Sequence, residues 1–396
     1  MNMERKVYTI TPLTGIHIGT GEELTLFDYT ITDKIKNGLL YFKFSSDHIL
    51  QRLMNDKQTM TDFYNASVVE GDMKKIQDFF QKHFTRGIDY YCDVTDGFKK
   101  LYDYQKAGKV SQMYHTEGKG LFPRVQLLYS QDSRDRSIIY DMQVPAIPGT
   151  SIKGAIRTAL LNYFLKDLPD CDNYKSLGDI KLQQNLFEYG DAKNDPLRSI
   201  SISDCLFEPA DHTQLVGCMK VVYFDDKDRI LKPRENIKIQ AEVLKGALLR
   251  GSAVSGLSIN IYDKLQKTPF ALKKEGTRKP IKTITFKDIR ESCNYFYLRE
   301  FKNEYDKFYE KVCDENALIE KLKSRLEQAV NTNGQFIIRV GRWSQVEFVT
   351  FDKRFRKPVA KKGNDGKPRW GTKRTLLDYN GNYVPLGWCV LSEKEE

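Results

Sequence analysis

The sequence predicts an α+β protein of two modified ferredoxin-like or RNA-recognition-motif-like units. The first unit carries a helical insertion at about 45–120, and the second a long helical segment at 285–330. Three observations lead there. Alternating, β-branched runs bounded by Gly and Asn-Gly turns recur along the chain. One strongly amphipathic helix falls at about 151–165. The order strand, hairpin, helix, strand is met twice, which is the order of such units. The division expected is 1–210 and 211–396, with 396 residues suiting two or three domains at roughly 150 residues each.

The elements follow in order. Lys6-Val-Tyr-Thr-Ile-Thr-Pro-Leu13 alternates and reads as a strand, followed by the glycine-rich turn Gly15-Ile-His-Ile-Gly-Thr-Gly21. Leu24 to Ile31 and Leu39 to Phe44 form a hairpin around Asn37-Gly38, a pair suited to the positive φ of tight hairpin turns. Short helices are expected from Asp47 to Met54 and from Asp72 to Phe84, and Gly118-Lys-Gly120 marks the exit of the insertion. Strand patterns recur at Ile138 to Val144, Ser199 to Phe207, Val216 to Phe224, Ile237 to Leu244 and Ser252 to Tyr262. Asp225, Asp226 and Asp228 read as the turn after the third of these. Thr285 to Val330 reads as two helices broken near Asp314, and Gln335 to Val340 as a strand.

The segment Ile147-Pro-Gly-Thr-Ser-Ile-Lys-Gly-Ala-Ile-Arg157 carries most of the functional argument. Thr150 or Ser151 can cap the helix through its hydroxyl. Ile152, Ala155, Ile156, Ala159, Leu160, Tyr163 and Phe164 fall at i, i+3, i+4, i+7 and form one buried stripe. Lys153 and Arg157 sit one turn apart on its flank. Gly154 costs about 1 kcal/mol relative to Ala in a helix, so something must approach its backbone. A helix N-terminus with free amides, two hydroxyls and two cations suits a phosphate. An ordinary capped helix with surface cations fits the same residues. The segment lacks the Lys-Ser/Thr of a nucleotide P-loop, and Gly19-Thr-Gly21 lacks the third glycine of a dinucleotide loop. Gly363-Asn-Asp-Gly366 matches the GxxG of a KH domain by chance, among prolines and cations.

Composition narrows the function classes. The chain is 40% hydrophobic and 12% aromatic, which argues against disorder. Lys and Arg number 63 against 53 Asp and Glu, a net charge of +10. Ten of those cations and one acid lie between Lys353 and Arg374, beginning with Lys353, Arg354, Arg356 and Lys357. Such a segment suits a polyanion such as RNA or DNA. It equally suits a solvated basic loop. No run of 18 apolar residues and no signal-peptide pattern occurs, so a cytoplasmic protein with no membrane partner is expected. Seven cysteines without a CxxC argue against disulfides and a zinc ribbon.

The pairing of Pro12-Leu-Thr-Gly-Ile-His-Ile-Gly-Thr-Gly21 with Ile147-Pro-Gly-Thr-Ser-Ile-Lys-Gly-Ala-Ile-Arg157 resembles the RAMP superfamily of CRISPR effector subunits. The Pro385-Leu-Gly-Trp388 ending and the size are similar to the family of fifth Csm subunits in type III-A complexes. The resemblance implies a cap on the subunit filament, at the 3′ end of the CRISPR RNA (crRNA). The partners implied are crRNA, target RNA, adjacent Csm backbone subunits and host nucleases that mature the crRNA 3′ end. It implies guide-backbone contacts by Gly149, Thr150, Ser151, Lys153, Gly154 and Arg157, with His17, Gly19 and Gly21 lining the neighbouring turn. Relatives usually carry a hydrophobic-Gly-x-Gly loop in the second unit. Here Ile338-Arg-Val-Gly-Arg-Trp343 keeps Gly341 but places Trp343 where the second glycine would stand. Gly341, Arg342 and Trp343 are therefore expected to offer a cation and a stacking face to RNA. A core Trp fits equally.

No catalytic residue, metal or cofactor is expected. Metal-free RNA cleavage needs a base and an acid, often His. The five histidines are 17, 48, 83, 115 and 212, and only His17 lies beside a glycine turn, where a structural role is more common. Asp132, Asp135 and Asp141 precede the helix but match no known catalytic loop aspartate. No His-Asp, Gly-Gly-Asp-Asp or His-Glu-x-x-His sequence occurs. The alternatives are a metal-independent endoribonuclease acting on CRISPR repeat RNA through His17, and an ordinary RNA-recognition-motif protein. The latter lacks the usual aromatic strand motif.

Overall fold

The computed structural model describes residues 3–35, 38–44, 46–69, 73–84, 92–106, 125–132, 143–166, 179–187, 189–207, 214–225, 227–228, 230–262, 270–272, 278–280, 284–310, 317–351 and 373–394. The fold is α+β, as expected. Its first sheet has five antiparallel strands in the order β16 (Gln335–Arg339), β19 (Trp388–Glu393), β1 (Met3–Pro12), β13 (Ser255–Tyr262) and β9 (Ile200–Ile202). Helices α5 (Gly149–Leu165) and α7 (Phe286–Phe308) pack against this sheet and each other. Alternation decides which face they cover. Tyr8 and Ile10 on β1 and Leu257, Ile259 and Ile261 on β13 are buried, while Gly256 is exposed between them.

The path β1, α5, β9, β13, α7, β19 is a ferredoxin-like βαββαβ arrangement. A second, mixed sheet runs β2 (Gly19–Leu24), β6 (Val125–Leu128), β12 (Ile230–Leu244), β11 (Gln214–Asp225), β5 (Cys92–Val94), β4 (Gly38–Lys43), β3 (Tyr29–Ile35). Both sheets take strands from either side of residue 210. Element order alone does not say which strands pair.

Several local expectations change. The strand expected from Leu24 to Ile31 is split by a turn, because the Asp28 carboxylate accepts from the Thr25 amide at 2.7 Å and its hydroxyl at 2.8 Å. The insertion holds α1 (Ser46–Asn55), α2 (Lys57–Tyr64), α3 (Met73–His83) and α4 (Asp96–Lys106), but also the strand β5. Residues 107–120, with Gly118 and Gly120, lie outside the described residues. So do residues 138–142 of the expected strand, which is found at 143–147 as β8 (Gln143–Ile147). The hairpin of β11 and β12 places Asp225 opposite Ile230, with Lys232 paired to both Asp225 and Asp228. Those carboxylates are turn groups. The helical segment appears as α7 and α8 (Ala317–Val330), and Asp314 falls outside the described residues. The capping box of Thr285 and Asp288 starts α7. Beyond the basic segment, β17 (Arg374–Tyr379), β18 (Asn382–Val384) and β19 were not expected.

A buried ion network ties these late elements to α7. Glu304 on α7 accepts from Arg339 on β16 at 2.8 Å and pairs with Arg374 on β17 at 2.7 Å. Arg374 also reaches Glu347 at 3.2 Å. Arg339 donates through Nε to the Leu386 carbonyl at 2.8 Å and stacks over Phe348 at 4.3 Å. Glu304, Arg339 and Arg374 are each no more than 3% exposed. Glu304→Gln leaves two buried guanidiniums short of a countercharge, which should cost about 3–5 kcal/mol in urea unfolding. Removing the surface pair by Lys6→Gln should cost less than about 1 kcal/mol.

Candidate nucleic-acid interface

The expected glycine-rich turn is a seam joining both sheets. The Leu13 amide donates to the Trp388 carbonyl at 2.8 Å, and Gly387 donates to Gly15 at 2.9 Å. Ile16 and Leu244 exchange both main-chain bonds, at 3.0 and 2.8 Å. Tyr129 donates to the Ile18 carbonyl at 2.6 Å, and Arg342 donates to the His17 carbonyl at 2.7 Å. The last bond brings the Gly341 loop against the first turn. A Cβ on Gly341 would lie 2.6 Å from the His17 oxygen, and its φ is +87°. Glycine is required there by approach and by conformation.

His17 is fully buried. Its Nδ1 donates to the Glu242 carbonyl at 2.7 Å, and its ring stacks on Trp343 at 4.9 Å. Nε2 has no hydrogen-bond partner, and a Cβ on Gly19 would stand 2.9 Å from it. Burial, with Arg342 adding to it, lowers the ring's pKa from its ordinary 6.5, against the opposing effects of the Glu242 carbonyl and carboxylate. This is a neutral core histidine. Trp343 keeps the backbone that a glycine would take, with φ +64°, at half-buried exposure. One face of its ring covers His17. Arg342 is exposed, its guanidinium 5.4 Å from the Trp343 ring and bonded to Gln126 at 2.9 Å.

The N-terminus of α5 differs from expectation. The helix starts at Gly149, and its N-cap is Pro148, without a side-chain cap from Thr150 or Ser151. The reason is a carboxylate from elsewhere. Asp204 accepts from the Gly149 amide at 2.7 Å, placing a negative charge at the positive end of the helix dipole. Gly149 packs so closely that a Cβ would lie 2.2 Å from the Ile202 carbonyl oxygen. The flanking cations turn inward. Lys153 donates to the Ile200 carbonyl at 2.7 Å, and burial lowers its pKa. Arg157 spends its donors on Gln183 at 2.7 Å, Asp195 at 2.6 Å and Tyr189 at 2.7 Å. The stripe is buried from Ile152 to Leu160, with Tyr163 and Phe164 half-buried.

The outer face of α5 meets the Gly341 loop across a groove of about 470 Å³. Ser151, Gly154 and Thr158 form one wall, Gly341, Arg342 and Ser344 the other, and Ile18 and Gly19 one end. Tyr297, Phe348 and Val349 add apolar lining. Nothing lies within 4 Å of a Cβ built on Gly154. Gly21 likewise has open space around it, at φ +93°.

The model of the RAMP superfamily matches residues 9–341. The chain belongs to the RAMP superfamily. Among solved structures, a chain of a Csm–crRNA–target RNA ternary complex of a type III-A CRISPR-Cas system is similar at 18% identity and TM-score 0.59. That likeness covers 98% of this chain and 100% of the other. The crystal structure of T. onnurineus Csm5 is similar at 17% identity and TM-score 0.57, covering 96% of this chain and 99% of that one. Both likenesses speak to the fold. Comparison with curated proteins gives no match.

In this RAMP chain the structure brings Gly19, Ser151, Gly154, Gly341 and Arg342 to one groove, and sets Lys153, Arg157 and His17 into internal contacts. Lys353, Arg354, Arg356 and Lys357 lie outside the described residues. Among the described residues, no three His, Cys, Asp or Glu side chains gather as a metal site. Sequence reading missed Asp204, Tyr297 and Phe348. The Ser203-Asp204 pair after a strand was the one visible signal for a distant cap.

Two outcomes follow from this geometry. Gly341→Ala should destabilise by more than about 2 kcal/mol, through main-chain collision and positive φ together, whereas Gly21→Ala should cost only about 1 kcal/mol of conformational strain. Urea melts of the two variants compare them. His17 has a depressed folded pKa, so its contribution is complete above its ordinary 6.5 and declines as pH falls below that value toward the folded pKa. His17→Gln should flatten that acid limb in melts taken between pH 7.5 and pH 5.

Proposed function

We propose that the chain is a non-catalytic RNA-binding subunit of a type III-A CRISPR-Csm effector complex, of the fifth-subunit kind. In this reading it caps the filament at the crRNA 3′ end and supports 3′ maturation through partner nucleases. The observation that carries it is the likeness to a chain of a Csm–crRNA–target RNA complex across essentially the whole length of both. The likeness to Csm5 across 96% of the chain supports the same subunit position. The superfamily match covers both motif segments that meet at the groove. Partners on this reading are crRNA, target RNA and neighbouring Csm backbone subunits.

The endoribonuclease alternative rests on His17. That ring is enclosed by Glu242, Gly19 and Trp343 and holds a lowered pKa, which supports a structural role. Carrying out acid–base chemistry would require the seam to open.

Native purification followed by sequencing of the bound RNA tests the proposal. Discrete spacer-bearing RNAs with a common 5′ tag are expected; a broad transcript sample would overturn it. Repeat RNA incubated with the pure chain in EDTA should stay intact. Cleavage abolished by His17→Ala in a folded variant would favour the nuclease reading.

A further inference from the structure

We propose that the groove over Gly154 receives one unstacked nucleobase of the bound RNA, rather than a stretch of its phosphate backbone. The proposal deepens the RNA-binding reading and rests on it.

The cations argue first. The motif places Lys153 and Arg157 beside the helix N-terminus, where a phosphate would seek them. Both are bonded elsewhere, to the Ile200 carbonyl and to Asp195, Gln183 and Tyr189. The Gly149 amide is held by Asp204, so an incoming phosphate would face a carboxylate. Of the groove's own cations, Arg339 is neutralised by Glu304. Arg342 is exposed at the rim.

The lining argues second. Tyr297, Phe348, Ile18 and Val349 make an apolar wall, and hydroxyls of Ser151, Thr158 and Ser344 stand among them. An apolar cleft with a few polar groups and one cation at its edge fits a planar, partly apolar body carrying an anionic tail. A nucleotide has that form. The cavity, about 470 Å³, falls within the ordinary range for small-ligand pockets, roughly 300–1,000 Å³. Gly154 argues third. It is exposed mid-helix with open space where a side chain would project, so its missing Cβ widens this groove and relieves no internal contact.

That last point supplies a clean perturbation. Gly154→Leu fills the groove while replacing a poor helix former with a good one, so the fold should keep or gain thermal stability. The probes are labelled RNAs of about 12 nucleotides, intact or carrying a single abasic residue at each position in turn, a length within the usual span for single-strand sites. For the wild-type chain, one abasic position should weaken binding about tenfold, in line with the loss of one stacked base. Gly154→Leu should bind intact RNA about tenfold more weakly and no longer distinguish that abasic probe. If every abasic probe bound like intact RNA and Gly154→Leu bound normally, the base pocket would be wrong while the RNA-binding reading stood. If Gly154→Leu kept RNA binding but lost a neighbouring protein subunit, the groove would belong to a protein side chain and the proposal would fall. A wild-type chain that bound none of the RNAs would remove both readings.

Discussion

The main chain from Leu13 to Ile18 is bonded on all sides, and the placement of every motif depends on it. Its carbonyls and amides pair with residues near 129, 244, 342 and 387. Those partners lie far apart in sequence and on both sheets. Buried main-chain groups must find partners, so a segment this enclosed fixes the position of whatever supplies them. Close approach is the second half of the constraint. A Cβ on Gly246 would lie 2.4 Å from the Thr14 oxygen, and one on Gly341 would lie 2.6 Å from that of His17. Motif glycines that look like ligand contacts therefore divide in two. Gly149 and Gly341 let backbones meet, and Gly21 and Gly154 face open space.

The cations divide in the same way. Arg157, Arg339 and Arg374 are bonded to carboxylates inside the protein, and Lys153 to a carbonyl. A guanidinium with three fixed partners holds its neighbours in place as firmly as a small core. Arg339 precedes the Gly341 loop, Glu347 follows it, and Arg374 begins β17, so one network centred on Glu304 sets the loop's two ends. The groove inherits its shape from that network. The chain's excess positive charge is thus a poor guide to where a polyanion would touch, because charge buried in pairs exerts little field outside.

Local pattern carried the sequence reading as far as it could. The stripe of α5, the hairpin of β11 and β12, strand β13 and the paired helices of 285–330 are visible because neighbours at i+2 or i+4 share a face. Strand β5 was invisible, since three residues within helical surroundings show no period. The cap on α5 was misassigned because Asp204 lies 55 residues away. The partners of Lys153 and Arg157 were hidden for the same reason, and a flank of cations read as a phosphate site. Trp343 was recognised as a departure from the family's glycine. Its retained positive φ was not, because stacking on His17 offsets a conformational cost that no sequence rule weighs.

The pairing of β1 with β19 has a consequence for how the chain is made. Val390 sits opposite Thr11, so the second neighbour of β1 is among the last segments to leave a ribosome. Until then β1 can pair only with β13 and presents one open edge. Contacts of such long sequence separation slow folding and lengthen the exposure of intermediates. A partly synthesised chain would thus carry α5 and much of its buried stripe without a closed sheet beneath them. Binding competence would arrive late and all at once, when the last strand locks the seam at Leu13 and brings the Gly341 loop to His17.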